Sequence, residues 1–390
     1  MISRNDAMKK ERSLKLLISD NGNLTGHNGV FWVHHENATF LRETLDLGLK
    51  TEYAAVILDT ASEQIKNLAD EKFPEAIRVY KFNSLSSLPR LKRLFAGFRE
   101  AAKMLFAVLR HDFIYCYYPG TLPRGLILFC RLLHRPYGMY VRGEVANTPR
   151  NRRILTNSKF ILATGASNVT KLVPEYRNCH EIVPMCSILQ DDIQLVPKTS
   201  FGSPLRGLFV GRVEKAKGVF ELFDALAELK RRGVAVKMTL VGAYGAEIEE
   251  TVKRLDISDM VMLAGLAKKP EELKNYYRNA DFFCLPTYTE GFPRVLYEAM
   301  AYGLPCVTTL VGGIPTRMHA GENCLELKVR DVDSIVDAMA KLSTDPELAE
   351  RLSRASLDTF DYWRRRFRGS SHAIQLKKLI SAALEGTICH

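Results

Sequence analysis

Two carboxylates stand eight positions apart in residues 290–298, which read Glu-Gly-Phe-Pro-Arg-Val-Leu-Tyr-Glu. Carboxylates accept hydrogen bonds from hydroxyl groups, and the free N–H groups at a helix N-terminus favour a bound anion. A helix that begins beside Glu290 would therefore suit a ligand that carries both hydroxyls and phosphates. The alternative is structural: Glu290 caps the helix, and Glu298 is an exposed helix residue.

The flanking residues predict a strand, a loop and a helix around these carboxylates. Residues 281–286 are a short apolar run that ends in a proline, and residues 293–303 have a helical pattern with Pro293 in the first turn. At about 100° per residue, the apolar side chains of this helix share one stripe, and Glu298 points away from it. Glu290 is expected in the loop just ahead of the helix.

A second motif, Gly-Arg-Val-Glu-Lys-Ala-Lys-Gly, occupies residues 211–218. It follows an apolar run that predicts a strand over residues 205–211 and precedes a helical pattern. Arg212 and Lys217 bracket the loop, so two cations and a helix dipole converge where a diphosphate can lie. Lys215 is the alternative cation in the same loop.

The first half of the chain begins with a predicted strand at Leu14–Ser19, a loop rich in glycine and asparagine over residues 20–29, and a helix from about Val30. This order is typical of a nucleotide-binding α/β unit. The glycines do not match G-x-G-x-x-G, so the loop is equally consistent with a tight turn.

Further predicted strands alternate with helical segments along both halves, which indicates parallel doubly wound sheets. The periodicity is interrupted between Met185 and Arg206, where we place the domain boundary. The predicted domains are residues 1–195 and 204–368, with a C-terminal helical segment at 369–390.

The form E-G-F-P-x-x-x-x-E-A-M-A-x-G-x-P over residues 290–305 resembles the signature of the retaining glycosyltransferases of family four. The resemblance extends along the chain and is strongest over residues 205–325. It implies the GT-B fold, in which two Rossmann-like doubly wound domains face each other across a cleft. The C-terminal domain then binds a nucleotide-sugar donor, the N-terminal domain binds the acceptor, and the C-terminal segment packs back on the first domain.

The resemblance also implies a role for each motif. Glu290 is expected to contact the donor sugar, Glu298 the ribose, and Arg212 and Lys217 the donor diphosphate; Lys217 fits the family pattern better than Lys215 because Gly218 follows it. The full set of implied donor-binding residues is Gly26, Gly29, Gly211, Gly265, Leu266, Gly291, Phe292, Pro293 and Glu298.

The sequence departs from the family pattern at two positions. Arg142 stands where family members often carry a histidine, and Thr316 stands where a glutamate commonly follows the Gly-Gly-x-Pro turn. Arg142 is a candidate for holding a phosphate or an acidic sugar, and Glu144 for an acceptor hydroxyl, unless the two pair with each other or with solvent. His27 is a third candidate for this region, and Thr316 is assigned no role.

The net charge of +11 is uneven, because residues 81–160 hold 15 basic and 3 acidic residues. Such a segment favours an anionic partner, either a membrane surface or a phosphate-bearing acceptor; we expect no nucleic-acid partner, because no recognised binding motif accompanies the charge. Leu88–Arg110 predicts an amphipathic helix with Lys92, Arg99 and Lys103 beside its apolar stripe. That pattern indicates an anionic membrane surface, although a helix covering a sheet looks the same.

The eight cysteines show no metal-ligand spacing, and neither a membrane span nor a signal peptide is evident. We therefore expect a cytoplasmic protein, peripheral on the inner membrane face, with no metal and no cofactor. The predicted activity is metal-independent, retaining transfer of a sugar from a nucleotide-sugar donor, expected to be UDP-linked, to a hydroxyl of a glycan or lipid-linked acceptor in cell-surface polysaccharide or glycolipid synthesis. The alternatives are a nucleotide-sugar epimerase of the same fold and a non-catalytic nucleotide-sugar-binding assembly subunit.

Overall fold

The computed structural model describes residues 14–27, 30–59, 70–83, 90–143, 145–182, 196–267 and 269–387. These residues divide into two compact units. The first comprises the described residues up to Ala163, Val169–His180 and the chain from Ser370 onwards; the second comprises Thr164–Asn168 and Glu181–Gly369. The second unit thus begins earlier in the chain than the predicted residue 204.

The first unit is built on a mixed sheet whose central strands are parallel. Its path runs β4-β2-β1-β6-β7-β8-β9, and β3 pairs with both β1 and β5. The strands are β1 (Lys15–His27), β2 (Val30–His34), β3 (Lys50–Asp59), β4 (Asp70–Lys72), β5 (Arg78–Phe82), β6 (Phe113–Tyr118), β7 (Tyr137–Val141), β8 (Ile161–Ala163) and β9 (Cys179–Glu181). The helices that follow in this half are α1 (His35–Asp46), α2 (Arg90–Arg110), α3 (Thr121–Leu132), α4 (Pro149–Thr156) and α5 (Ser167–Thr170).

The prediction of a loop and helix after the first strand is wrong. Strand β1 continues through the asparagine- and glycine-rich residues to His27 and pairs antiparallel with β2, and the helix begins only at His35. The backbone of this segment is paired on both sides, because β3 lies parallel to β1 on its other edge, with a register irregularity between Ser19 and Asn23. Partners from distant parts of the chain thus override the local turn signal.

The C-terminal helix α12 (His372–Leu384) belongs to the first unit and lies within the predicted helical segment 369–390. Its first residue, His372, is buried, stacks on the ring of Phe40 with centroids 4.3 Å apart and lies 2.7 Å from the hydroxyl of Tyr115. Ala373, Leu376 and Ile380 are also buried. One face of α12 is therefore packed into the first unit.

The second unit is built on a parallel sheet in the order β12-β11-β10-β13-β14-β15. Its strands are β10 (Leu205–Val210), β11 (Val236–Val241), β12 (Val261–Gly265), β13 (Phe282–Leu285), β14 (Cys306–Thr309) and β15 (Cys324–Leu327). Its helices are α6 (Val219–Arg231), α7 (Ala246–Arg254), α8 (Pro270–Asn279), α9 (Arg294–Ala301), α10 (Val332–Thr344) and α11 (Pro346–Arg366).

In this order β10, the first strand of the second unit, lies in the middle of the sheet. The first connections run outward from β10 to β11 and β12, and the chain then returns to β13 on the opposite side of β10. In parallel α/β sheets, ligands bind outside the carboxyl ends of the strands where the order reverses. The topology therefore points to the loops that follow β10 and β13.

Within the part of the chain that the structure describes, no helix has the length and apolar character needed to cross a bilayer.

Candidate functional site

The loops after β10 and β13 lie side by side because these two strands pair in parallel, with Gly207 opposite Phe282. The backbone N–H of Tyr288 donates to the carbonyl of Ala216 at 3.0 Å, and the Tyr288 hydroxyl donates to Glu221 at 2.6 Å. Residues that are about 70 positions apart in sequence are thus joined where the strand order reverses, which we call the switch point of the sheet.

Lys217 and Glu290, which the sequence assigned to different motifs, form an ion pair across these two loops. Both side chains are mostly buried, with exposed fractions of 19% and 16%. Lys215, the alternative cation, is exposed to solvent in the same 3-10 turn, Lys215–Lys217. The structure therefore distinguishes the two lysines: only Lys217 is directed at the carboxylate of the predicted signature.

Arg212 extends from the same loop into solvent, with a side chain 73% exposed that pairs with Glu214 at 3.0 Å. Gly211 precedes it at the end of β10. An exposed surface ion pair contributes little to stability, so Arg212 is readily available to an anionic ligand.

Gly218 explains how this loop approaches the neighbouring one so closely. Its backbone is left-handed, with φ of 71°, and it precedes helix α6 directly. A Cβ at this position would lie 2.0 Å from the carbonyl oxygen of Pro286. Glycine is therefore required here both by its conformation and by the packing of the two loops.

Helix α9 begins immediately after residues 290–293, which we call the signature loop. Pro293 has extended backbone at the N-cap, one residue before the helix rather than in its first turn as predicted, and no side chain of the described residues caps the helix. Gly291 is partly exposed, and Phe292 is buried beneath the loop. The N-terminal end of α9 thus lies beside Glu290, as the sequence predicted.

The Gly312–Gly313 turn, to which no ligand role was assigned, supports the signature loop from below. The N–H of Gly313 donates to the carbonyl of Gly291 at 2.7 Å. Gly312 has φ of 59°, and a Cβ there would lie 1.8 Å from the carbonyl oxygen of Glu290. The turn therefore fixes the position of the backbone segment that carries Glu290.

Sequence reasoning missed Arg317, which is fully buried behind the signature loop. Its guanidinium lies 4.5 Å from the ring centroids of both Phe292 and Trp363. One of its nitrogens donates to Glu181 and to the carbonyl of Ile182, each at 3.1 Å. The nearby Gly-Gly-x-Pro turn was the only local signal, because an arginine at this position looks like an ordinary surface residue.

Glu298 is more buried than the helical stripe suggested. It points away from Leu296, but a second packed face encloses it, and only 6% of the residue is exposed. The hydroxyl of Tyr277 donates to its Oε2 at 2.8 Å. Burial raises the pKa of Glu298, and the Tyr277 hydrogen bond and the charge of Arg294 oppose that rise.

We expect Glu298→Gln to raise the melting temperature of the ligand-free protein at neutral pH. A carboxyl whose pKa rises on folding favours the folded state below its unfolded pKa and loses that contribution as pH rises through the folded value. The gain should therefore disappear in acid. Nucleoside diphosphate affinity should fall roughly tenfold or more, because a charged hydrogen-bond acceptor is lost. Melting curves at several pH values with and without UDP check both parts; a variant that binds UDP normally would contradict the assignment.

Two further predicted donor contacts lie at the end of β12. Gly265 has a left-handed backbone, with φ of 69°, and its carbonyl accepts from the N–H of Gly242 at 2.8 Å. The side chain of Leu266 is half exposed. Both lie at the carboxyl edge of the same sheet as the Lys217–Glu290 pair.

The predicted residues of the first unit fall into two groups. Gly29 and Glu144 lie outside the described residues, as does the side chain of His27, whose backbone ends β1. Gly26 lies inside the β1–β2 hairpin opposite Phe31 and not in a loop that opens a helix. That placement removes the structural argument for Gly26 as part of a phosphate-binding turn.

Arg142 follows β7, and its guanidinium lies 5.8 Å from the ring centroids of both Tyr117 and Tyr140. Burial alone would lower the pKa of Arg142, but Tyr140 and the buried Asp20 outweigh it, and the net shift is upward. Asp20, which the sequence did not single out, accepts from Asn37 at 2.6 Å and from the hydroxyl of Tyr53 at 3.0 Å. The carboxyl end of β7 thus carries a cation that interacts electrostatically with the buried carboxylate of Asp20, which lies within β1.

The three predicted membrane-facing cations lie on α2 but are not equivalent. Arg99 and Lys103 contact the buried Glu100 at 3.4 and 3.0 Å, whereas Lys92 is exposed. Two of the three charges therefore pair with a buried carboxylate of their own helix as well as facing solvent.

Residues 196–358 match the family model for glycosyl transferases group 1. The chain is 36% identical over 149 residues to D-inositol 3-phosphate glycosyltransferase of Corynebacterium jeikeium, covering 36% of this chain and 35% of that protein. It is 31% identical over 170 residues to the putative colanic acid biosynthesis glycosyltransferase WcaL of Escherichia coli K12, covering 41% of each. These matches span well under two thirds of the relatives' own lengths.

Among solved structures, HepE of Anabaena in complex with UDP superposes with a TM-score of 0.63 at 18% identity, over 96% of this chain and 100% of that one. Such a likeness establishes the fold. Residues 196–358 therefore match the glycosyl transferases group 1 family, as the signature predicted, and the chain has the α/β GT-B fold.

Proposed function

We propose that this protein is a retaining glycosyltransferase that moves a sugar from a UDP-linked donor to a hydroxyl of a glycan or lipid-linked acceptor. The observation that carries the proposal is the Lys217–Glu290 ion pair at the switch point of the second sheet, beside the uncapped N-terminus of α9. A cation, a carboxylate and a helix end at one place match a ligand with phosphates and hydroxyls. UDP as the donor nucleotide is suggested by the complex of HepE, and polysaccharide synthesis by WcaL.

The ion pair also indicates how the site changes when the donor binds. A diphosphate competes for Lys217, and the carboxylate of Glu290 is then released to accept hydrogen bonds from sugar hydroxyls. Both side chains are mostly buried, so each charge needs a partner. In the donor complex the diphosphate would be the partner of Lys217, and the sugar hydroxyls would be the partners of Glu290. Binding therefore exchanges an internal pair for two contacts with the ligand.

In the proposed reaction, the bond between the anomeric carbon and the diphosphate oxygen breaks, and the bond to the acceptor oxygen forms on the same face. The acceptor proton passes to the leaving diphosphate, so no protein nucleophile is required. Lys217, Arg212 and the end of α9 offset the charge that develops on the leaving group. With two cations and a helix dipole supplying this stabilisation, we propose that the reaction needs no metal.

On the acceptor side, we propose that Arg142 binds an acidic group of the acceptor. Its charge is fixed, and its guanidinium lies within cation–π distance of the rings of Tyr117 and Tyr140 at the end of β7. Acceptors with a phosphate or a carboxylate should therefore be preferred over their neutral counterparts.

A thermal-shift screen of nucleotide sugars, followed by product analysis, tests the proposal. A UDP-sugar at 100 times its dissociation constant should stabilise the second unit by about 2.7 kcal/mol. The anomeric configuration of the product, measured by NMR, should match that of the donor, and EDTA should leave the rate unchanged. Conversion of the donor to an isomer without transfer would identify an epimerase, and binding without transfer or slow donor hydrolysis would identify an assembly subunit.

A further inference from the structure

Helix α2 turns its apolar stripe to solvent. Leu94, Phe95 and Phe98 are 62%, 73% and 69% exposed, and Phe106 and Leu109 are about half exposed. At about 100° per residue, these five side chains fall within one third of the helix circumference. A helix that covers a sheet buries such a stripe, so the structure contradicts that alternative for α2.

The opposite face of α2 is the one that packs. Ala107 and Val108 are fully buried, and the only acidic residue of the helix, Glu100, is 3% exposed. Glu100 accepts hydrogen bonds from the side chains of Asn83 and Lys103. Asn83 lies outside the helix, so its hydrogen bond ties the face that carries Glu100 to the rest of the first unit and leaves the apolar stripe on the exposed side.

The neighbouring helix α3 also exposes apolar side chains. A Cβ added to Gly125 of α3 would lie 2.6 Å from the sulfur of Met104 of α2, so the two helices are in close contact. Leu128 and Leu132 of α3 are 50% and 64% exposed. We call the seven exposed side chains of these two helices the apolar face: Leu94, Phe95, Phe98, Phe106, Leu109, Leu128 and Leu132.

The charges beside the apolar face have one sign. Lys92, Arg99, Lys103 and Arg110 follow one edge of the α2 stripe, and the α2 sequence offers no exposed acid to balance them. Arg110 also lies over the ring of Phe106, 5.1 Å from its centroid. An apolar stripe with a basic edge matches the acyl chains and anionic headgroups of a bilayer surface.

We propose that the apolar face inserts into the interfacial layer of an anionic membrane, with α2 lying in the membrane plane. The apolar side chains enter the boundary between headgroups and acyl chains, and the basic edge remains among the phosphates. A second copy of the chain is a poorer partner, since bringing two such faces together would bring like charges together. The inference does not depend on the donor chemistry, and it would place the first unit where a lipid-linked acceptor is accessible.

Sedimentation with sucrose-loaded vesicles tests the proposal on the full chain. The protein should sediment with vesicles of phosphatidylcholine and phosphatidylglycerol and not with phosphatidylcholine alone, and added salt should weaken binding. Leu94→Ser/Phe95→Ser/Phe98→Ser should lower the partition coefficient at least about a hundredfold, because burying the exposed part of each Leu or Phe side chain is worth about fivefold or more. Lys92→Glu should produce a smaller, salt-dependent loss.

The matched control is Met262→Ser/Val329→Ser, which removes exposed apolar side chains from the second unit, where Met262 is 50% and Val329 41% exposed. This variant should bind vesicles like the wild type. As a second measurement, the fluorescence of Phe95→Trp should shift to the blue with anionic vesicles. The proposal is overturned if the protein ignores anionic vesicles at low salt, if the triple variant binds like the wild type, or if that variant instead abolishes a dimer.

Discussion

Lys217→Ala is expected to lower the turnover of sugar transfer about 10²–10³-fold, the usual effect of removing one preorganised group that stabilises developing charge. The lysine is mostly buried and paired with Glu290, so its ammonium is held in place before the donor arrives. Arg212→Ala should have a smaller effect, because the Arg212 side chain is 73% exposed and must be ordered by the ligand.

Lys215→Ala separates the effect of the loop's total charge on turnover from the effect of the position of the cation. That variant removes the same charge from the same turn, but Lys215 is exposed, and its turnover should stay close to wild type. Affinity for UDP should fall in Lys217→Ala while affinity for uridine barely changes, as measured by calorimetry. Equal losses for uridine and UDP, or equal losses of turnover in the two lysine variants, would place the diphosphate elsewhere.

A double-mutant cycle with Glu290→Gln tests the exchange of partners. If the donor replaces the Lys217–Glu290 pair by separate contacts, the two substitutions should couple strongly in the stability of the ligand-free protein and weakly in UDP affinity. Glu290→Gln alone should reduce turnover with an intact nucleotide-sugar donor. Strong coupling in UDP affinity would mean that the ion pair persists in the complex.

The sequence predicted those elements whose signal is local. Strand β10 begins at the expected residue and helix α12 lies within the expected segment, because their hydrophobic patterns end at clear breaks. The hairpin of β1 and β2 was missed because its residues favour turns, and its strand conformation comes from pairing with β3 and with β4, far along the chain. The stripe of α2 was recognised, but the packing of the opposite face involves the buried Glu100 and its partner Asn83, which lies outside the helix and which helical periodicity does not reveal.

The residues of the site likewise divide into those with a local sequence signal and those that depend on distant contacts. The pairing of Lys217 with Glu290 follows from the strand order, and each residue was identified from its own loop. The burial of Glu298 depends on Tyr277, which comes from another helix, and α9 alone showed only that Glu298 points away from Leu296. Arg317 depends on three separate segments and has no sequence signal of its own.

Arg317→Met should lower the free energy of unfolding of the second unit by about 3–5 kcal/mol, the usual cost of removing one partner from a buried charge pair. Methionine fills much of the space between Phe292 and Trp363, so packing is largely retained and the lost charge is what the variant reports. Arg330→Met is the matched control: Arg330 is exposed and lies over Tyr288 at 4.7 Å, and its loss should cost about 0.5 kcal/mol or less. Urea unfolding gives both values.

The deficit should depend on Glu181, which loses its partner in Arg317→Met. Burial already raises the pKa of Glu181, and Arg317 opposes that rise, so without the arginine the carboxylate is still harder to ionise. A carboxyl with a raised folded-state pKa favours folding below its unfolded pKa and loses that contribution as pH rises, so the deficit should shrink in acid. Glu181→Leu added to Arg317→Met should recover part of the stability at neutral pH. A deficit that is independent of both pH and Glu181 would mean that Arg317 stabilises the signature loop through its stacking on Phe292 and Trp363 alone.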